Sequence, residues 1–395
     1  MSTAGAGVRV VNYVRLVLAI GIFLVSLLAI LPAPTYKTWE LSIGVTEWGH
    51  ILALIALILL LPGWGKTASG KISALVGIVS ILLALSPLFR ARQVADALPA
   101  QITSAFGGRN PSQGPDAVAR PSPLVYRDLV SGVYSPSVRF DTMTYTVRSG
   151  KSLGLDLYRP ANQPATALPL VVMIHGGSWR GGSRRDLPDL NRYLAARGFA
   201  VAAVSYRFAP ADPHPAASND IHAAIQFLKS NASRLEIDPS RIALIGRSAG
   251  GQLALLEGYT GGDPAIRGVA ALYAPSDQLF GYQNPSNPRV LNSTLVLESY
   301  LAGNPKTKPD AYRTASPINF VSRSTVPTLL IHGDKDELVW VRQSERLDAK
   351  LAAAHRPHFF LRLPWATHGC DYNFNGPCGQ ISTYAIEIFL GEVMR

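Results

Sequence analysis

A chain of 395 residues is longer than one ordinary domain needs, and this one is 48% hydrophobic with only 16% charged residues, where a soluble domain carries about 25%. That deficit points to a membrane portion. The net charge of +11 comes without basic runs interleaved with aromatics, which argues against nucleic acid as a partner, and the two cysteines show no metal-binding spacing.

In chain order, three apolar stretches free of Lys, Arg, Asp and Glu fill the N-terminus, at about 16–36, 48–65 and 72–89. Each is long enough, or nearly so, to cross a hydrocarbon core of about 30 Å. Trp48 and Trp64 at the ends of the second suit an interfacial belt. Residues 1–92 therefore read as a three-span membrane module, with the lipid bilayer as a partner. Arg9 and Arg15 precede the first span, and Lys66 and Lys71 lie between the second and third. The positive-inside rule puts these in the cytoplasm, so three crossings send the rest of an integral, multi-pass chain outside. Arg90 and Arg92 argue the other way.

Residues 93–125, rich in Ala, Pro, Ser, Gly and Gln, read as a flexible linker. A short amphipathic piece near Val94, Leu98 and Ile102 suits a membrane surface, although Pro99 weakens it. Residues 126–395 read as the next domain, and from about Val138 onward the pattern changes. Short apolar runs at 170–174, 200–204, 242–245, 269–273, 328–331 and 359–363 alternate with helical patterns. Continuous apolar strands between helices predict an α/β domain, its mostly parallel sheet covered on both faces. The stretch at about 276–324 reads as an inserted cap.

Four motifs carry chemistry. Gly246-Arg247-Ser248-Ala249-Gly250 follows an apolar strand and opens a helix. A sharp turn there needs small neighbours and lifts the Ser248 hydroxyl above the sheet, as a nucleophile requires. His175-Gly176-Gly177-Ser178-Trp179 follows the strand at 170–174. Its glycines suit an oxyanion hole in which the N–H groups of Gly176, Gly177 and Ala249 face the developing charge. His175 precedes the nucleophile and reads as structural, and Trp179 as a pocket wall. His332-Gly333-Asp334-Lys335-Asp336 ends the strand at 328–331. Asp336, deeper in the loop, is the preferred triad acid and Asp334 the alternative. His368, in the loop after the last strand, is the base. In the cap, Leu291, Leu295, Leu297, Tyr300 and Leu301 suit an acyl pocket or ordinary cap packing; Trp179, Leu295 and Tyr300 are the expected pocket residues.

These stretches, with LDLYRP, SYRFAP, ASPINF and HGDKDELV, make the chain from about 138 onward resemble the hormone-sensitive-lipase-like and feruloyl-esterase-like carboxylesterases of the α/β-hydrolase superfamily. The resemblance implies the α/β-hydrolase fold, a triad of Ser248, Asp336 and His368, and a small-molecule or lipid-like ester as substrate. No metal or organic cofactor is implied. Ser178 stands where many relatives have a third glycine, and most relatives lack the N-terminal spans. Acyltransferase and amidase or formamidase activity share the same triad, and a membrane scaffold with an inactive domain is the non-enzyme alternative. Cys370 and Cys378 are expected to pair if the domain faces an oxidising compartment, and otherwise to be buried thiols.

Overall fold

The computed structural model describes residues 3–106, 120, 122–148, 150–162 and 166–395. Four helices come first: α1 (Thr3–Ser26), α2 (Tyr36–Glu47), α3 (Gly49–Ala56, drawn out by a tighter turn to Leu60) and α4 (Ala68–Phe106). Arg15 reaches the carbonyls of Leu61 and Pro62, Asn12 that of Gly63, and Arg90 that of Ala29. The first, third and fourth helices therefore run side by side, with the chain start at the end away from the sheet. A Cβ on Gly49 would sit 2.0 Å from the Ala84 carbonyl oxygen, so only glycine allows α3 to come this close to α4. Val10, Val17, Leu24, Leu54, Leu75 and Leu82 are each more than half exposed on this bundle. An apolar surface of that extent marks a face made for something other than water.

The bounds expected for the three spans need correction. Gly7–Ala29 and Ala68–Phe106 are long and apolar enough to cross a membrane. The middle stretch, expected at 48–65, is helical only over Gly49–Leu60, which rises about 18 Å. It passes as a span only together with Tyr36–Glu47, from which it is bent by 83°. The apolar run was legible, but the break at Trp48, where α2 turns onto the folded domain, was not.

The linker also needs correction. Residues 93–106, expected to be flexible, continue α4 without interruption through Pro99, and 107–119 and 121 lie outside the described residues. The buried positions along α4 explain the continuity. Gly70, Gly77, Ala84, Ala91 and Leu98 recur every seven residues, with Ala74, Pro87 and Ala95 between them and Ile102 beyond the last. The stripe is small where it faces other helices. It ends in Leu98, Ile102 and Phe106 where it enters the core of the sheet domain, and Phe106 packs 5.1 Å from Phe389. The piece around Leu98 and Ile102 thus covers protein, not a membrane surface.

After α5 (Asp128–Ser131), the hairpin β1 (Val138–Arg148) and β2 (Lys151–Pro160) opens the domain. There follow β3 (Leu168–Ile174), α6 (Pro188–Ala195), β4 (Ala200–Val204), α7 (Ala216–Ser230), α8 (Ala232–Leu235), β5 (Ile237–Arg247), α9 (Ala249–Thr260) and β6 (Ile266–Leu272). The cap holds α10 (Gln278–Gln283), α11 (Ser293–Leu301) and α12 (Pro309–Thr314), and β7 (Thr328–Gly333), α13 (Arg342–Ala353), β8 (His358–Leu363) and α14 (Pro377–Val393) complete the chain.

The eight strands lie in the order β1-β2-β4-β3-β5-β6-β7-β8. β2 pairs antiparallel with β1 and β4, and the remaining pairs are parallel. On β3, Leu170, Val172 and Ile174 face one core with α7 and α9, while Val171 and Met173 face the other with α6, α14 and the end of α4. Burial on both faces is what makes these strands read as unbroken apolar runs. The order reverses around β3, so the loops leaving β3, β5, β7 and β8 gather at one edge, where open α/β sheets place their sites.

Candidate active site

β5 delivers Ser248 at φ 52° and ψ −121°, a left-handed conformation that a non-glycine residue holds only when its surroundings force it. Those surroundings have no spare room. A Cβ on Gly246 would lie 2.1 Å from the Gly250 oxygen, and one on Gly250 would lie 2.3 Å from the oxygens of Ile174 and His175. The turn therefore presses directly against the end of β3.

His368 Nε2 lies 2.9 Å from Ser248 Oγ, and His368 Nδ1 lies 2.6 Å from Asp336 Oδ2. The second Asp336 oxygen accepts from the backbone N–H groups of Leu338 and Val339, at 2.9 and 2.8 Å. His332 donates from Nε2 to Asp336 Oδ2 at 3.1 Å and to the Val339 carbonyl at 2.9 Å, while the Ser344 hydroxyl donates to its Nδ1. Burial alone would raise the Asp336 carboxyl, but the charge of His368 and the hydrogen bonds from His332 and His368 outweigh it and hold the group at about 2. Asp334 points elsewhere, accepting from Arg362 Nε at 2.5 Å.

The loop after β3 crosses over the serine. A Cβ on Gly176 would lie 3.3 Å from Ser248 Cβ, and Gly177 takes φ 117° with the Gly181 oxygen 2.2 Å from where its Cβ would be. Ala249 opens α9 immediately after the serine, so its N–H is among those a helix start leaves without an intrahelical acceptor. His175 is stacked on Tyr206 with ring centroids 4.4 Å apart, and burial lowers its pKa.

Ser248 and His368 open into a cleft that is partly open to solvent. Trp179 forms one wall; its indole N–H donates to Gln252 at 2.9 Å. Two of the three expected pocket residues do not line the cleft. Leu295 points outward and is 53% exposed; Tyr300 is buried behind Trp179. The apolar wall comes instead from Leu291, Val296 and Leu297, with Leu338, Val339 and Trp340 from the loop after Asp336. In α11 three apolar residues are adjacent, so the sequence does not reveal which of them faces inward.

Cys370 and Cys378 are joined in a disulfide with their Cα atoms 5.7 Å apart, just beyond His368. A further cluster carried no recognised motif. Arg247, which precedes Ser248 in the turn, donates to Asp371 at 2.5 Å, as does the Tyr273 hydroxyl, and the Tyr273 ring lies 4.5 Å from the His368 ring.

The BD-FAE family matches residues 155–351, a stretch that holds Gly176, Gly177, Ser248 and Asp336 and stops before His368. The chain is 31% identical to esterase LipC of Mycobacterium tuberculosis over 61% of its own length and 62% of that protein. It is 28% identical to the probable carboxylic ester hydrolase LipM of the same organism over 90% of this chain and 86% of the other, an alignment that reaches into the N-terminal helices. Among solved structures it is similar to a bacterial heroin esterase (25% identity, TM-score 0.53, 64% of this chain and 84% of the other). It is also similar to an esterase of Pyrobaculum calidifontis (25%, TM-score 0.56, 65% and 86%). The chain has the α/β-hydrolase fold and over this stretch is similar to carboxylesterases.

Proposed function

We propose that the chain is a membrane-anchored serine carboxylesterase or lipase that hydrolyses carboxylic esters through an acyl-enzyme on Ser248. The observation that carries the reading is the unbroken relay from Ser248 through His368 to Asp336, built on the strained turn at the sheet edge. His368 Nε2 takes the Ser248 proton as Oγ attacks the ester carbonyl carbon. The tetrahedral oxyanion is held by N–H groups of Gly176, Gly177 and Ala249. His368 then protonates the leaving alkoxide. Water repeats the sequence on the acyl-enzyme, and the carboxylic acid leaves. Asp336, ionised at any working pH, fixes the imidazole tautomer and stabilises the imidazolium.

Membrane anchoring is supported by the exposed apolar faces of α1, α3 and the first half of α4. An extracytoplasmic catalytic domain is supported by Arg9, Arg15, Lys66 and Lys71 at the end of the bundle away from the sheet, and by a disulfide of the kind that oxidising compartments preserve. The test is labelling of membranes from cells expressing the full chain with a fluorophosphonate, beside turnover of short-chain esters. Both should vanish in Ser248→Ala, and survival of either in the folded variant overturns the assignment. Turnover that requires an acceptor alcohol identifies an acyltransferase instead.

A further inference from the structure

Glu47 closes α2, and its side chain is fully buried against the segment that carries His368. One carboxylate oxygen accepts from the Cys378 backbone N–H at 2.9 Å, the other from the Trp365 indole N–H at 3.3 Å. The Glu47 carbonyl accepts from the Asn373 side chain at 3.4 Å. Trp365 stands three residues before His368, and Cys378 is tied through its disulfide to Cys370, two residues after it. A single carboxylate from the N-terminal module therefore holds both ends of the histidine loop. The opposite side of that loop is held by Asp371, through Arg247 and Tyr273. The module also meets the acid loop: Lys335 donates to the Leu28 carbonyl at 2.5 Å, and Glu337 accepts from the Ala33 N–H.

We infer that Glu47 is a positioning residue for His368, so that the N-terminal module is a working part of the catalytic framework as well as its anchor. The inference rests on the reading of His368 as the base. Two buried N–H donors converge on the two oxygens of one carboxyl group, a match that an amide, with a single acceptor oxygen, does not reproduce at both positions. If either donor loses its acceptor, the loop must shift to find another, and the 2.9 Å approach of His368 to Ser248 shifts with it. Proton transfer is steeply sensitive to such a shift: a misplacement near 1 Å costs on the order of 100-fold in rate.

The test uses the full chain in detergent or nanodiscs with a water-soluble short-chain nitrophenyl ester. Ser248→Ala and His368→Ala come first; activity persisting in either refutes the underlying catalytic reading and leaves Glu47 aside. Glu47→Gln then keeps the volume but offers one acceptor and turns an NH2 group toward the other donor. It should lower kcat roughly 10- to 100-fold with KM held within about twofold. Adding Trp365→Phe removes the donor that now faces the amide and should restore part of the lost kcat. Val45→Ala, two residues earlier on α2 and buried in the module's own core, loosens the same helix without touching the loop and should leave kcat unchanged. An unaltered kcat in Glu47→Gln, no gain in the double variant, or an equal loss in Val45→Ala overturns the inference. If Glu47→Gln does not accumulate folded, Trp365→Phe alone decides: a lower kcat at constant KM supports it, and an unchanged kcat overturns it.

Discussion

Trp179 and Tyr300 lie face to face, their ring planes 3° apart and their centroids 4.1 Å apart. Both also donate to the same Gln252 oxygen, the indole at 2.9 Å and the phenol at 3.3 Å. Only Trp179 reaches the cleft, so Tyr300 acts on substrate by keeping that wall upright. Tyr300→Ala should destabilise the fold by about 3–5 kcal/mol, the range for a buried aromatic replaced by alanine, and raise KM more than it lowers kcat. Tyr300→Phe, which retains the stack, should change KM less than about twofold. Thermal melts and steady-state kinetics on one ester check both; a loss confined to kcat in Tyr300→Ala would contradict the wall role.

Leu295 and Leu297 of α11 separate packing from exposure. Leu297→Ala enlarges the cleft and should shift the preferred acyl chain toward longer members of a graded ester series, at a cost of about 2–5 kcal/mol in stability. Leu295→Ala, on the outer face, should leave the chain-length profile as it is. A profile altered by Leu295→Ala and not by Leu297→Ala would reverse the assignment.

Asp336→Asn should lower kcat by orders of magnitude, about 10⁴ in the best-studied triad, with the protein still folded. Asp334→Asn removes only an ion pair with the half-exposed Arg362, worth about 1 kcal/mol or less, and should leave kcat near the parent value. Turnover of a short-chain ester by the two variants side by side decides the ranking.

Asp336 also sets a pH dependence of stability. Its folded value of about 2 lies below the ordinary 3.8, so it binds its proton less readily in the folded state than in the unfolded one. The stabilisation is fully present above about pH 4 and is lost as pH falls from there through 2, amounting to about 2 kcal/mol. Denaturant unfolding at pH 5, 4 and 3 should show a steeper decline in the parent than in Asp336→Asn. Equal slopes would mean that the carboxyl is not depressed.

A chain that begins at residue 126 lacks the end of α4. Leu98, Ile102 and Phe106 then leave an open slot in the core beside α14. Each such side chain contributes about 1.5–3 kcal/mol by burial, so the loss exceeds about 4 kcal/mol. The shortened domain should aggregate or melt far below a version that begins near residue 90. Expression of both and comparison of soluble yield and Tm checks this.

Six parallel strands were legible because burial on both faces leaves runs such as LVVMI with no polar residue to confuse them. The β1–β2 hairpin was not legible: β1 exposes Phe140, Asp141 and Thr142 in succession and has no clean inward face. The relay residues were legible because their chemistry demands particular residue types at the ends of particular strands. Glu47 was not, because a single acid acquires its role only from partners such as Cys378, 331 residues away in sequence. The second half of α4 was obscured by composition, since Ala, Gln and Pro suit a linker; the seven-residue spacing of its buried positions was the available signal.

Helix α4 runs for 39 residues, about 58 Å. A disordered tether of 33 residues in its place would let the domain wander over a radius of about 30 Å. On the proposed reading, in which the first half of α4 lies in a bilayer, a strut of this kind would fix the height and heading of the cleft instead. Its rim at 284–291 is bonded to Pro34 and Tyr36, just past the end of the first apolar helix. An ester dissolved in the same bilayer then meets the cleft by a search in two dimensions, with the orientation of the enzyme already set. An ester free in water gains nothing from that arrangement. Under that reading, partitioning between water and lipid would sort substrates before any of them touches Ser248.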